Sequence, residues 1–399
     1  MIRRKAFKFR LNMKPELEEK FFQFAGCCRF VWNKALSLNL ERLKNKQAIM
    51  YYNELDFWSK LWKRSEDYGF LKSCHSQILQ QTLKSLELAF KDCFDKKQPL
   101  KRLPKFKRRG AHNSFRYPQG FKINGNNIYL PKLGWFSFRQ SQKIIGQAKN
   151  VTVSYSRGHW FISIQVEQIV EQPTHQKKSL IGIDVGVARF ATCSDGKVIE
   201  AKHYFKRLSR KLKVAQRSLS RKKKFSNNWH KQRERIQKLH GRIANARQDY
   251  LHWNSNRLSK KHAMIVMENL KIANMTKSAK GTQDEPGTHV KAKSGLNRAI
   301  LDQGWGEFKR QLQYKLEWLG GELLLVDPKY TSQTCPSCGH RDKKNRQTQS
   351  HFHCVDCGYE ENADLVGAIN VSRAGHAHLA SGDIADISLG AQESTKVAA

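Results

Sequence analysis

Residues 179–202 read SLIGIDVGVARFATCSDGKVIEAK, and the fold of the C-terminal half turns on them. "LIGI" is a short apolar run of strand type, and it ends in Asp184 followed by Val185-Gly186, where the backbone can turn. "RFATC" continues as a second strand, Asp195-Gly196 supplies a turn, and "KVIEA" makes a third strand. A carboxylate at the end of an apolar strand, beside a glycine that permits close backbone approach, is a candidate for chemistry. On its own it is also compatible with the phosphate-binding aspartate of a sugar-kinase or actin-like ATPase, although no second glycine-rich phosphate motif accompanies it.

Downstream, residues 204–252 form a polar helical hairpin in which basic side chains far outnumber acidic ones. "AMIVMENL" follows as an apolar strand that ends in Glu268, a charge such a strand does not need. A Gly/Lys/Ser loop at 277–295 is expected to be mobile. One helix is predicted over "LNRAILDQGWGEFKRQLQYKLEWLG", then a strand at "ELLLVD". The tail from residue 375 is rich in Ala, Gly and Ser and is expected to be disordered.

Upstream, "KAFKFRL" (5–11) alternates as a strand does, whereas residues 14–94 carry apolar residues at helical spacing. "KKQPLKRLPKFKRRGAHN" is a basic, proline-containing linker suited to phosphate. Residues 121–168 return to period two, interrupted by Asn124-Gly125 and Arg157-Gly158, which are hairpin turns. The simplest arrangement is a small antiparallel barrel or sheet that includes the first strand, with the helices as an insertion. "EQPTHQKK" (171–178) reads as the linker to the second half.

The 399 residues include 73 Lys and Arg against 34 Asp and Glu, a formal charge of +39. A field of that size calls for a polyanion, and with no amphipathic anchor evident a nucleic acid is the expected partner. No run reaches the roughly 20 apolar residues that cross a bilayer, and no secretory leader is evident, so no membrane association is expected. Nine cysteines, an odd number in a chain of this size, argue against a disulfide framework and for a reducing cytoplasm.

Four of those cysteines have metal spacing. Cys335 and Cys338 form C-P-S-C, and fifteen residues later Cys354 and Cys357 form C-V-D-C, each pair followed by glycine. A C-x-x-C turn aims two thiolates at one ion, and two such turns complete a tetrahedron. A closed four-thiolate shell leaves no open position, so the Zn2+ is structural, in a zinc ribbon; His351 and His353 are alternative ligands. Cys27, Cys28 and Cys93 lie in helical apolar patterns as small core residues. Beyond the ribbon, Asp364 opens an apolar helix, where N-capping is the plain explanation. Asp184, Glu268 and Asp364 nevertheless occur in the order of an RNase H-like fold. Three acids in one site repel one another unless divalent cations, two Mg2+ in a phosphodiesterase, neutralise them.

The stretches FAGCCRFVWNKAL, LPKFKRRG, LPKLGW, IGIDVGVARFATCSDG, MENLK, GWGEFKRQLQYK and TSQTCPSCGH…CVDCGYEENADLVGAIN resemble the TnpB (OrfB) family over nearly the whole chain, to about residue 374. These are insertion-sequence-encoded RNA-guided DNA nucleases, regarded as ancestors of the type V CRISPR effectors. The resemblance implies an α/β multidomain protein. A RuvC-like RNase H domain (176–330 and 362–374, with the basic hairpin 204–252) is interrupted by the ribbon (331–361). A wedge-like β-barrel (1–12 and 116–170) carries a helical recognition lobe (13–115). It implies Asp184, Glu268 and Asp364 as the catalytic, Mg2+-binding acids, and a guide (omega-type) RNA and target double-stranded DNA as partners. A monomer on its RNA, in the bacterial cytoplasm at the nucleoid, is the expected form. Many members read D-x-N-A-A-x-N from the third acid, whereas this chain has Val366 and Gly367.

In the family the lobe and barrel read a short target-adjacent motif. Tyr52, Gln77 and Gln80 are candidates here, because Gln can pair with adenine and Tyr can pack on a thymine methyl; exposed helix polars are the plain alternative. Lys84, Lys105, Lys107 and Arg108 are candidate phosphate contacts, as are Arg221, Lys222 and Lys223 in the hairpin, which is otherwise a solvated charged helix. A repressor that binds guided DNA without cutting it, and a transposase acting without a guide, are the alternatives to an RNA-guided, Mg2+-dependent endonuclease.

Overall fold

The computed structural model describes residues 1–110 and 113–380. The chain divides into two compact units, one from Met1 to Glu171 and one from Gln172 on, so the boundary falls at the start of the expected linker.

The first unit opens with β1 (Ile2–Leu11), whose alternate residues Phe7, Phe9 and Leu11 are buried. Helices α1 (Pro15–Lys44), α2 (Tyr52–Arg64) and α3 (Ser76–Phe94) follow, with a 3-10 stretch at Glu66–Ser73. The remaining strands are β2 (Asn113–Tyr117), β3 (Lys122–Asn124), β4 (Asn127–Leu130), β5 (Gly134–Arg139), β6 (Gln147–Ser156) and β7 (His159–Ile169). They form a seven-stranded sheet in the order β2-β6-β7-β1-β5-β4-β3, curled as a half-barrel. The helices are therefore an insertion after the first strand. Both hairpin turns fall where the sequence puts them: Arg157 and Gly158 hold positive φ, +57° and +84°, between the paired Ser156 and His159. Phe21 of α1 fills the concave face, meeting Phe115, Phe136 and Trp160 edge-on at 4.9–5.7 Å. Cys27 and Cys28 are buried there as expected, while Cys93 is only half-buried.

The second unit is built on β8 (Leu180–Val185), β9 (Arg189–Cys193), β10 (Val198–Glu200), the hairpin α4 (Tyr204–Ser220) and α5 (Asn227–Lys261), and β11 (Met264–Glu268). Then come α6 (Ile272–Met275), α7 (Val290–Gln303), α8 (Trp305–Leu319) and β12 (Glu322–Val326). The short strands β13 (His351–His353) and β14 (Glu360–Asn362) lead into α9 (Ala363–Ala380). The sheet order is β10-β9-β8-β11-β12, antiparallel on one side of β8 and parallel on the other, which is the RNase H-like arrangement.

Strand alternation sorts this sheet into two buried faces. Ile181, Ile183, Ile265 and Met267 pack with Leu251 of α5 and with Phe308 and Leu312 of α8. Met264 and Val266 pack on the other side, with Val371 of α9. That second face is close-fitting: a Cβ added to Gly182 would lie 2.3 Å from the Ala368 carbonyl oxygen, and one added to Gly375 would lie 2.4 Å from Val266 Cγ2. Glycine at both positions lets α9 lie directly on the strands.

Three expectations change. The single helix predicted over 296–320 is two helices, because Gly304 takes φ +77°, and a side chain there would press on Leu251 and Arg247. The loop expected over 277–295 ends earlier, at the start of α7. The last helix runs past residue 374 to Ala380, so the first residues of the expected tail are helical; the rest of that tail, 381–399, lies outside the described residues.

Candidate active site and zinc ribbon

Asp184 and Glu268 end neighbouring parallel strands. Ile183 pairs with Met267, so the two acids stand level, one residue further on. Alternation turns both toward α9. Asp364 lies in the first turn of that helix, and one turn later a Cβ built on Gly367 falls 3.0 Å from Asp184 Oδ2. The fold thus brings the three sequence-predicted acids to one end of one face. Burial first, then the charges of Glu268 and Asp364, push the Asp184 carboxyl up to about 7. Burial likewise raises Glu268, against a hydrogen bond from Thr331 and the nearby Arg346 guanidinium. The three acids interact through their charges, while among the described residues the four cysteines form a group whose ligand atoms all lie within 4.8 Å of one another.

The plain explanation for Asp364, helix capping, falls to another residue. Asn362 Oδ1 accepts the Asp364 backbone N–H at 3.1 Å, so Asn362 caps α9. The Asp364 carboxylate is left for the site.

Three side chains absent from the sequence-based list support these acids. Thr331 Oγ1 donates to Glu268 Oε1 at 2.6 Å. Asn370 Nδ2 donates to the carbonyls of Thr331 and Thr334, both at 2.7 Å, tying α9 to the segment that leads into the ribbon. Arg346, at the edge of the ribbon, lies close enough to both Asp184 and Glu268 to pull their carboxyls back down. Asn370 is the last position of the family pattern that begins at Asp364, whereas a lone Thr or Arg has no spacing signal, and only the pairing of β8, β11 and α9 makes Thr331 and Arg346 neighbours of the acids.

In the ribbon, Cys335 and Cys357 have their sulfurs 3.6 Å apart, as do Cys338 and Cys354. Zn–S bonds of about 2.3 Å arranged as a tetrahedron put sulfurs about 3.8 Å apart, so the quartet fits one zinc ion. Both knuckles close alike: Gly339 N–H donates to the Cys335 carbonyl and Gly358 N–H to the Cys354 carbonyl, each at 3.0 Å and with positive φ at the glycine. His351 and His353 face Glu360 at 3.6 and 3.9 Å instead of joining the sulfurs. Buried Asn345 binds the knuckles together, donating to the Gln333 and His340 carbonyls and accepting from Val355 N–H. The two departures from the family pattern divide between the sites: Val366 packs with Cys335, Phe352 and Cys354, and Gly367 sits against Asp184.

The comparisons with known proteins agree with this architecture. The OrfB family description "Probable transposase" matches residues 163–279, "Cas12f1-like, TNB domain" matches 305–371, and "Helix-turn-helix domain" matches 1–48, which here form β1 and α1. "Putative RNA-guided DNA endonuclease InsQ" of Escherichia coli (strain K12) is 51% identical over 386 residues, 96% of this chain and 95% of that protein. The chain belongs to the OrfB/TnpB family. Another relative, "Putative RNA-guided DNA endonuclease" of Streptomyces pristinaespiralis, is 31% identical and covers 95% of this chain and 91% of its own length. Among solved structures, the Cas12f1 chain in "Cryo-EM structure of the Cas12f1-sgRNA-target DNA complex" superposes with a TM-score of 0.57 at 15% identity. It covers 93% of this chain and 99% of its own, and so shares the fold. Among the described residues no helix is long and apolar enough to cross a membrane.

The candidate nucleic-acid residues of this OrfB/TnpB chain are scattered. Lys84 Nζ lies 4.7 Å above the Tyr52 ring, so those two meet, whereas Gln77 turns its amide oxygen inward. Gln80 is half-buried one turn along the same helix. The expected linker is docked on α1. Trp32 Nε1 donates to the Lys105 carbonyl, Asn33 exchanges two bonds with the Lys107 backbone, and Lys107 Nζ lies 3.7 Å over Trp32. Lys105 and Arg108 remain exposed, as do Arg221 and Lys223 in the α4–α5 turn, with Lys222 half-buried.

Proposed function

We infer that this chain is an RNA-guided, Mg2+-dependent DNA endonuclease of an insertion-sequence transposon, cutting guide-matched DNA beside a short target-adjacent motif. The single observation that carries the reading is the convergence of Asp184, Glu268 and Asp364 on one face of an RNase H-like sheet in a chain of charge +39. It is supported by the two full-length relatives that bear the RNA-guided endonuclease name.

In this reading Asp184, Glu268 and Asp364 hold magnesium. Magnesium held there would supply activation of a water nucleophile and neutralisation of charge on the leaving oxygen of a phosphodiester. The chain's own part is to keep the carboxylates charged and aimed. Thr331 holds one oxygen of Glu268, and Asn370 fixes Thr331 to α9. Asp184, raised to about 7 by burial and its acidic neighbours, would have to be deprotonated to serve as a ligand. The four cysteines hold zinc as a structural knot. The curled sheet (1–12 and 116–170) and helical lobe (13–115) serve as wedge and recognition lobe. The split nuclease is 176–330 with 362–374, and the ribbon is 331–361. Guide pairing supplies sequence specificity, while Tyr52, Gln77, Gln80 and Lys84 are candidate readers of the adjacent motif and Lys105, Lys107, Arg108, Arg221, Lys222 and Lys223 candidate backbone contacts.

The test is to purify the protein, sequence its co-purifying RNA, and offer plasmid matched to that guide. Cutting in Mg2+ is expected, with none in EDTA or in Asp184→Ala that still holds RNA. Persistent cutting by that variant refutes the acid assignment. Guided binding without product identifies a repressor, and strand joining without RNA identifies a transposase.

A further inference from the structure

The turn between α4 and α5 carries more than charge. Arg221, Lys222, Lys223 and Lys224 lead directly into Phe225, and Lys231 and Arg233 follow on the first turns of α5. Phe225 is 68% exposed, more than the other open aromatics such as Phe57 and Trp253. Its φ is +69°, a conformation that bulky side chains avoid, so the backbone holds this ring outward at a cost. The turn is not loose. Ser226 N–H donates to the Lys223 carbonyl at 3.1 Å, and Ser226 Oγ caps α5 by accepting the Trp229 N–H at 3.2 Å.

The Phe225 and Trp229 rings meet with centroids 5.5 Å apart and planes inclined at 57°, so Trp229 braces one side of Phe225. Lys224 Nζ stands 5.2 Å from the Phe225 ring centre, and the Arg233 guanidinium 5.5 Å from that of Trp229. A residue before an N-cap often packs on the first turn as a hydrophobic staple, and that accounts for an edge contact. It does not account for a ring left two-thirds open in a strained backbone, amid six cationic side chains. Aromatic faces interleaved with cations at an exposed, hydrogen-bonded turn are the chemistry that takes unpaired bases: the cations hold phosphate and the π-face receives the base.

We propose that the Phe225 ring, braced by Trp229, is a stacking platform for an unpaired base of single-stranded RNA. RNA is the occupant because its loops and bulges offer splayed bases before any target is opened, whereas a DNA single strand exists only after the duplex has been parted. The proposal rests on the RNA-guided reading and gives the hairpin tip a base-stacking role in place of a purely electrostatic one.

The probe is a fluorescein-labelled 12-nucleotide oligoadenosine RNA, with a 12-base-pair RNA duplex as control, bound to the full chain stripped of nucleic acid. Stacking by alanine substitution is worth about 1–3 kcal/mol per base, or about 5- to 150-fold in affinity. Phe225→Ala is expected to weaken the single strand by that factor and to leave the duplex within about twofold. Phe225→Trp should restore binding, whereas Phe225→Leu, which keeps a staple but has no π-face, should not. Equal losses on single strand and duplex, unchanged affinity in Phe225→Ala, or rescue by Leu as good as by Trp would each overturn the platform.

The complete complex identifies the occupant. p-Azidophenylalanine in place of Phe225, photolysed in RNA-bound protein before DNA is added, should form an adduct with RNA. Adducts formed only with a DNA strand, and only after target is added, would overturn the RNA assignment. Parent protein that binds no RNA at all would remove the RNA-guided reading as well, so the two failures are distinct.

Discussion

Replacing Asp184 by Asn should stabilise the metal-free protein while abolishing metal-dependent chemistry. The Asp184 carboxyl stands at about 7 against an ordinary 3.8, because burial and two neighbouring acids oppose its charge. A native pKa above the unfolded one means that the folded state binds the extra proton between those values. The contribution of this one group to stability is therefore most favourable below about 4 and falls as pH rises to about 7. The shift of about 3 units, at 1.36 kcal/mol each, sets a ceiling of about 4 kcal/mol on the loss. Asparagine keeps the shape without the charge and escapes that loss. In EDTA at pH 8, Asp184→Asn should melt higher than the parent, by up to about 8–16 °C for a unit of roughly 200 residues. The gap should shrink steadily as the buffer is taken from pH 7 toward pH 4. Added Mg2+ should raise the parent's melting temperature and leave the variant's nearly unchanged. Calorimetry across that pH range reads all three outcomes. A variant no more stable than the parent at pH 8 in EDTA, or a gap that widens on acidification, would refute the claim that the three carboxylates repel one another in a desolvated site.

Thr331→Val removes the hydroxyl donor to Glu268 and should weaken apparent Mg2+ affinity by about 10- to 100-fold, read from the midpoint of Mg2+-dependent thermal stabilisation; Thr331→Ser should keep it. A Val variant that binds Mg2+ as the parent does would remove Thr331 from the site's support. Gly182→Ala places a Cβ against two backbone atoms of α9, at 2.3 and 2.5 Å, and should cost about 3 kcal/mol in denaturant unfolding or prevent accumulation of folded protein. A change below about 0.5 kcal/mol would show that α9 does not lie on β8 as described. Cys338→Ser opens the sulfur quartet and should lower bound zinc by elemental analysis together with folded yield. A stable, zinc-loaded variant defective only in cutting would contradict a purely structural metal.

Much of the candidate site was legible because its signals are local. A C-x-x-C knuckle closes within five residues, so Cys335, Cys338, Cys354 and Cys357 could be grouped from spacing alone. Strand periodicity is equally local, and it carries Asp184 and Glu268 to the ends of buried strands. The hairpins at Arg157-Gly158 and Asn124-Gly125 were readable for the same reason, since turn chemistry needs only two residues. The helix at 296–320 misled because its apolar spacing runs through Gly304, whose left-handed backbone, φ +77°, ends one helix and starts the next.

Sequence by itself determined which residue types were available: thiolates at metal spacing, acids at strand ends, a charge that demands a polyanion, and a family pattern over nearly the whole chain. Tertiary structure decided what those residues do to one another. It made Asn362 the cap of α9 and so left the Asp364 carboxylate to the site. It set Thr331 and Arg346 beside acids more than sixty residues away in sequence, and it turned His351 and His353 toward Glu360 and away from the zinc shell. It also raised the Asp184 carboxyl to about 7. Capping, desolvation and charge repulsion depend on distance through space, and the distances that matter are set when β8, β11 and α9 close on one another.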